Sequence, residues 1–300
     1  MKFGKLESIN EVDFSLPDDH PSGLKLKQLA GAPNPKLYVG CTAWNIKEWK
    51  GQVYPGKAKP PQFLFYYGEQ FNCIELNSFY YRIPDKETIL TWCQSVPDDF
   101  RFCPKLPQTI SHRESLGVES GQVDKCKEAL KLFGHKIGTS FLQLPKSFEN
   151  SQFDELKTFI ETFGSEYRLC VEFRHESWFS DAEFFASVVE FLKSHETGLV
   201  ITDVAGRRDV CHMAITNKFC HIRFVGNDLD GTDYHRIHLW LSRMIEWFNK
   251  GMEEIFFFIH EPDNTNAPVL CAYLIEQLSS QPEIQIRGPQ LQINNQMDIF

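Results

Sequence analysis

The feature that most constrains this chain is an alternation repeated along its length. Short apolar runs rich in β-formers lie at 37–42, 73–79, 100–105, 139–144, 168–174, 198–203, 219–225 and 255–260, and longer amphipathic segments separate them. Eight such units predict parallel strands covered by helices, closed as one (β/α)8 barrel. Start and stop signals support the helices. Asp85 precedes 86–96, Ser151 with Asp154 and Ser180 with Glu183 have capping-box spacing, and Pro268 opens the last helix. Thr232 opens a long segment that runs to Lys250, with Gly251 placed to end it. No glycine-rich phosphate or dinucleotide fingerprint follows any strand, which removes the commonest open-sheet cofactor sites. The expected layout is an extension over 1–36, a barrel over 37–280 and a polar tail over 281–300.

Side chains alternate faces along a strand, so one parity meets the helices and the other meets the barrel axis. Glu75 and Asn77 oppose Ile74 and Leu76; Arg101, Cys103 and Lys105 oppose Phe100 and Phe102. Cys170, Glu172 and Arg174 oppose Leu169, Val171 and Phe173. Gln143 opposes Leu142 and Leu144, Arg223 opposes Ile222 and Phe224, and His260 opposes Phe257 and Ile259. Asp203, at the end of its run, joins the same inward set. These polar residues cluster at the C-terminal ends of their strands, the catalytic face of this architecture. Charges in a barrel interior are costly unless they pair or bind something.

The inward set balances Glu75, Glu172 and Asp203 against Lys105, Arg174 and Arg223. Such a balance suits an anionic ligand held by Arg and Lys, with Glu75 and Glu172 as acid and base and His112 or His175 assisting. A metal held by those histidines, His260, the carboxylates and Glu261 is the alternative, although metal sites seldom interleave cations. Lys105 has two readings, a Schiff-base former or a permanently charged partner of Glu75 or Glu172. Trp44, Trp49, Tyr80, Tyr81 and Trp178 follow strand ends and either wall a pocket or pack loops. Asn77, Gln143 and Asn264 complete the candidate substrate contacts.

Composition narrows the function classes. The 31 basic and 40 acidic residues give a net charge of −9, so a broad basic face for nucleic acid is not the default. Nine cysteines without a C-x-x-C pair argue for reduced thiols rather than a disulfide framework or a zinc ribbon. Residues 1–19 have no signal-peptide core, and the apolar run 255–259 is far shorter than the ~20 residues of a membrane span. The expected location is the cytoplasm.

Several motifs together resemble the YecE-like family, a domain of unknown function. They are Tyr38-Val-Gly-Cys-Thr-Ala-Trp44, Glu75-Leu-Asn-Ser-Phe-Tyr80 with Arg82 and Pro84, Phe102-Cys-Pro-Lys105 with His112, Phe141-Leu-Gln-Leu-Pro145, and Val171-Glu-Phe-Arg-His-Glu-Ser-Trp178. The likeness spans about 37–275 and implies a triosephosphate-isomerase-type barrel of unassigned activity. One departure stands out. Where the family has an aromatic followed by paired asparagines after the eighth strand, this chain reads Phe258-Ile-His260-Glu-Pro-Asp-Asn264.

The chain ends Gln296-Met297-Asp298-Ile299-Phe300, which resembles the pentapeptide that docks many bacterial proteins on the replication sliding clamp. The alternative is a tail that packs on its own barrel. Three functions stand at this point. The first is an enzyme on a phosphate- or sugar-bearing substrate, linked through the tail to DNA repair. The second is a metal-dependent phosphodiesterase similar in outline to endonuclease-four barrels, and the third is a non-catalytic ligand- or clamp-binding module. The expected partners are an anionic small molecule or nucleic-acid fragment and the clamp, with no membrane; the cofactor is open.

Overall fold

A computed structural model describes residues 3–26, 34–289 and 291. All eight expected strands form: β1 (Lys36–Gly40), β2 (Cys73–Leu76), β3 (Arg101–Pro104), β4 (Ser140–Gln143), β5 (Leu169–Glu172), β6 (Gly198–Asp203), β7 (Phe219–Val225) and β8 (Glu254–His260). A further strand, β9 (Gln285–Arg287), lies in what the sequence presents as tail. Every pairing is parallel, as an α/β fold requires. The strands form a seven-stranded sheet, β4-β5-β6-β7-β8-β1-β9, and a β2-β3 pair, rather than one closed ladder. Single backbone bonds join the two pieces. Glu75 N–H donates to Cys41 O at 3.1 Å, Gly138 N–H to Phe102 O at 2.8 Å, and Leu106 N–H to Phe141 O at 2.8 Å.

The seam between β1 and β2 explains the division. Before β2 begins, the Asn72 side chain takes the place of a strand: its Oδ1 accepts from Val39 N at 2.9 Å and its Nδ2 donates to Leu37 O at 2.9 Å. Beside it, β9 pairs with Lys36–Tyr38 on the β1 edge opposite β8.

The helices are α1 (Phe63–Gln70), α2 (Ser78–Tyr81), α3 (Lys86–Gln94), α4 (Gln108–Ser111), α5 (Gln122–Lys131), α6 (Phe153–Phe163), α7 (Ala182–Ser194), α8 (Gly231–Asn249) and α9 (Ala267–Gln277). Asp85 caps α3 through Thr88 N, and Pro268 sits in the first turn of α9. Other caps fall beside the expected residues. Glu149 with Gln152 forms the box before α6, Asp181 caps α7, and Asp230 caps α8. In each case a neighbouring side-chain acceptor reaches the orphan N–H groups first. None of the helices among the described residues is long and apolar enough to cross a membrane.

Apolar strand parity packs on the helices as expected. Ile74, Leu76, Phe102, Leu142, Val171, Ile201, Ile222, Phe257 and Ile259 belong to one continuous core. The opposite parity carries small apolar layers near the strand starts: Tyr38, Cys73, Cys103, Phe256 and Phe258, and beside them Phe141, Cys170 and Val200. All nine cysteines are free, and eight of them are buried, so they act as small core fillers. Residues 3–26 run over the β6 and β7 side. Trp247 Nε1 donates to Asp19 at 2.9 Å, and Gly206 N donates to Gly4 O at 2.8 Å. A Cβ on Gly206 would come within 2.7 Å of that carbonyl, so the approach needs glycine.

Candidate functional site at the strand ends

Above the apolar layers, the inward parity of β2, β5 and β7 places Glu75, Glu172 and Arg223 in one buried unit. Arg223 Nε and Nη2 donate to Glu75 at 2.8 and 3.1 Å, and Nη1 donates to both Glu172 oxygens at 3.0 and 2.9 Å. One guanidinium thus bridges two carboxylates, and the three groups together carry a charge of −1. Burial pushes Glu172 up, but Arg223 and Arg174 overcome it and hold the carboxyl at about 2. Glu75 likewise lies well below the usual carboxylate range, because Arg223 and His260 outweigh its burial.

Each carboxylate has further partners. Asn77 Nδ2 donates to Glu75 at 2.8 Å, and His260 Nε2 lies 3.3 Å from the same carboxylate. His221, from β7, stands 3.8 Å from Glu75 through Nε2 while its Nδ1 meets Thr139 Oγ1 at 2.9 Å. Burial lowers both histidines, so both are neutral near pH 7. Glu172 accepts from Gln143 Nε2 at 2.6 Å, Thr202 Oγ1 at 3.2 Å and Arg174 at 3.3 Å.

Toward the mouth, Gln143 Oε1 accepts from Lys105 Nζ at 2.7 Å, and that ammonium stands 3.8 Å over the Tyr80 ring. Burial and the charge of Arg223 lower Lys105 to about 8 against the pull of Glu172. Glu75 and Glu172 direct their ion pairs to Arg223, Arg174 and the histidines, not to Lys105. Tyr80 OH lies 3.5 Å from His112 Nε2, and Ser111 Oγ holds His112 Nδ1 at 2.9 Å. Phe3 covers this edge. Its ring lies 4.5 Å from Arg174, 5.3 Å from Arg207 and 5.4 Å from Lys146.

Glu75, Asn77, Tyr80, Lys105, His112, Gln143, Glu172, Arg174 and Arg223 are therefore brought together, and others are not. Asp203 is the main correction. It points outward to Arg236, Arg208 and Trp240, and Thr202 faces in instead. The expected balance of three acids against three bases becomes two carboxylates facing three cations. His175 caps the turn at Glu176–Trp178 through Ser177 N at 3.2 Å. Trp178 is core, donating to Phe148 O at 2.8 Å and stacked on Phe173 at 4.1 Å. Trp44 packs edge-on to Trp92 at 5.2 Å. Asn264 accepts from Thr42 Oγ1 at 3.1 Å and from Trp49 through its carbonyl, fixing the β8–α9 loop. Gln296, Met297, Ile299 and Phe300 lie outside the described residues.

Sequence reasoning missed His221, Thr139, Thr202, Lys146, Arg207 and Phe3. His221 shares the parity of Arg223 and Thr139 that of Gln143, so alternation alone identifies them; Phe3 carries no such signal. Among the described residues no group of three or more His, Cys, Asp or Glu side chains is arranged to hold a metal ion.

Relatives share this frame. A family described as protein of unknown function DUF72 matches residues 38–293. UPF0759 protein YecE of Escherichia coli K12 is 30% identical over 267 residues, covering 83% of this chain and 95% of its own. UPF0759 protein YunF of Bacillus subtilis is 24% identical over 166 residues, covering 53% and 57%. Crystal structures of DUF72 family proteins share the fold. That from Thermotoga maritima superposes with a TM-score of 0.64 at 24% identity, covering 81% of this chain and 99% of that one. That from Enterococcus faecalis gives 0.64 at 19%, covering 82% and 98%. The match across nearly the whole strand-bearing region and the identity to YecE establish that this chain belongs to the DUF72 family.

Proposed function

We propose that the two sheets act as one closed (β/α)8 barrel and that its mouth is the active site of an enzyme for a small anionic, phosphate- or sugar-bearing substrate. The observation that carries this reading is the placement of Lys105, on Gln143, and Arg174, on Glu172, at the strand ends above the buried Glu75–Arg223–Glu172 unit. The buried unit fixes the orientation of the groups above it, and with Lys105 and Arg174 the cluster counts three cations against two carboxylates. Arg174 holds the anion, assisted by Lys146 and Arg207. Glu75 and Glu172 are held ionised far below neutral pH, which favours positioning roles over the acid–base roles read from sequence. Lys105 is the group whose proton is exchangeable near neutral pH.

Titration calorimetry with inorganic phosphate and ribose 5-phosphate tests the site. Arg174→Met should weaken both by about tenfold or more, as loss of a charge-assisted contact does. Unchanged affinity in the folded variant overturns the assignment. Turnover of any phosphorylated substrate removes the reading as a pure binding module. The metal-dependent phosphodiesterase draws no support from the geometry, since Arg223 stands between the two central carboxylates.

The link to DNA repair rests on 296–300 alone, read as a clamp-docking peptide with Gln296, Met297, Ile299 and Phe300 as anchors. Unchanged clamp binding after deletion of those residues excludes it. Nine free thiols support a cytoplasmic location.

A further inference from the structure

We propose that Lys105 is an imine-forming nucleophile, and that the substrate is an aldehyde or ketone with an anionic group on Arg174 and its carbonyl over Tyr80. The inference rests on reading the mouth as an anion site and adds the reacting group of the substrate.

A lysine becomes a nucleophile when no carboxylate holds its proton and something disfavours its charge. Lys105 meets both conditions. Its hydrogen-bond partner is the neutral Gln143 amide at 2.7 Å, and the carboxylates beneath it are committed to Arg223 and Arg174. A permanently charged partner of Glu75 or Glu172 would show an ion pair to one of them, and Lys105 shows none among the described residues. The groups facing it are Glu75, Glu172, Arg174, Arg223, Tyr80 and His112. Burial and the two arginines outweigh the two carboxylates and bring Lys105 to about 8. Roughly one chain in ten then carries the free amine at neutral pH.

Other buried lysines contrast with it. Lys136 is buried too, but it donates to Cys93 O and Val96 O at 2.8 and 2.7 Å and pairs with Asp98, a structural arrangement. Lys105 instead stands half-buried at a strand end beside the mouth, with an aromatic face 3.8 Å away to shield the new bond.

The step balances without a co-reactant. The neutral Nζ attacks the carbonyl carbon, a C–N bond forms, and the C=O pair moves to oxygen. The carbinolamine then loses that oxygen as water together with both amine protons, leaving the C=N bond; hydrolysis reverses it. Tyr80 OH and His112 Nε2, 3.5 Å apart, form the adjoining pair that passes protons to the leaving oxygen.

The test uses the full chain with D-glyceraldehyde 3-phosphate or D-glyceraldehyde, each with sodium cyanoborohydride, and maps modified lysines by peptide mass spectrometry. Lys105 should be labelled by the phosphorylated aldehyde at least about tenfold faster than exposed Lys47 and Lys57, with a rate that rises through about pH 8. Inorganic phosphate should slow that labelling. Labelling of Lys105 no faster than of Lys47 and Lys57, with either aldehyde, overturns the imine. Equal selective labelling by both aldehydes upholds the imine and instead overturns the anionic-substrate reading beneath it. Lys105→Arg keeps the charge and should melt like the parent while losing the label; a parent-like label elsewhere in the mouth counts against Lys105.

Discussion

Two buried arginine–carboxylate clusters occupy opposite faces of the same strands, and they end differently. On the outer face, Arg236 binds Asp203 through Nε at 3.1 Å, Asp233 at 3.1 Å, and the carbonyls of Asp203 and Val225 at 3.0 Å each. Trp240 Nε1 and Arg208 complete Asp203, and the Phe14 and Phe224 rings cover the guanidinium. Its outer contacts are backbone, indole and aromatic faces, which is how a structural stitch ends. The inner cluster of Arg223 is as deeply buried, yet Glu172 passes the network on through Gln143 to Lys105 and directly to Arg174. Burial and perturbed carboxylates occur in both. What separates the two clusters is that the inner network runs on to half-buried cations at the strand ends, Lys105 and Arg174.

The largest expected effect contrasts the two arginines. Arg223→Met leaves two buried carboxylates without their shared cation and should cost about 3–5 kcal/mol in urea unfolding. Arg236→Met should cost less, about 2–3 kcal/mol, because Arg208 and Trp240 still bond Asp203. The reverse order breaks the view that the inner cluster depends on one cation.

Next come the carboxylates, compared through Lys105. Glu172→Gln removes a charge that raises Lys105, so the pH midpoint of aldehyde labelling should fall below about 8. Asp203→Asn should leave that midpoint where it is. An equal shift in both variants would erase the distinction between the faces.

Acid should destabilise the fold in a defined window. Glu172 is depressed in the fold, so its stabilisation is present above the ordinary carboxylate value and is lost as pH falls through about 2. His212, lowered to about 4 by burial, adds stability present above about 6.5 that fades as pH falls toward 4. Unfolding free energy followed from neutral pH downward should decline over that span, first through His212 and last through Glu172.

The smallest effect concerns a buried carboxylate with no arginine partner among the described residues. Glu261 accepts from Asp228 N at 2.8 Å, and its Oε1 has no hydrogen-bond partner. Burial, and then Asp233, raise it to about 7, so its contribution is full below about 4.5 and is lost as pH rises through about 7. Glu261→Gln should match the parent in acid and exceed it by about 1 kcal/mol or more above neutrality. A pH-independent difference would mean that this carboxyl does not titrate in the fold.

Much of this was legible in the chain itself. Alternation assigned Glu75, Lys105, Gln143, Glu172, Arg174 and Arg223 to one face because the opposite parity of each run is apolar and had to meet helices. It failed at Asp203, where Leu199, Val200 and Ile201 are all apolar and the run offers no contrast to set the phase. The loop aromatics failed for another reason. Whether Trp178 lines a pocket or fills the core depends on Phe148 O being within reach of its indole, a tertiary fact. Phe3, Lys146 and Arg207 meet only because residues 3–26 fold back across the strand ends, and no local period records that. Three residues of β9 are too few for any pattern.

That short strand has a consequence for solution behaviour. The β1 edge it occupies presents backbone donors and acceptors in register, covered among the described residues by β9 and one asparagine amide. A bare parallel edge of this kind is a template for another chain. Cutting the polypeptide before residue 285, or replacing Asn72 with an apolar residue, should therefore promote self-association through a region remote from the mouth.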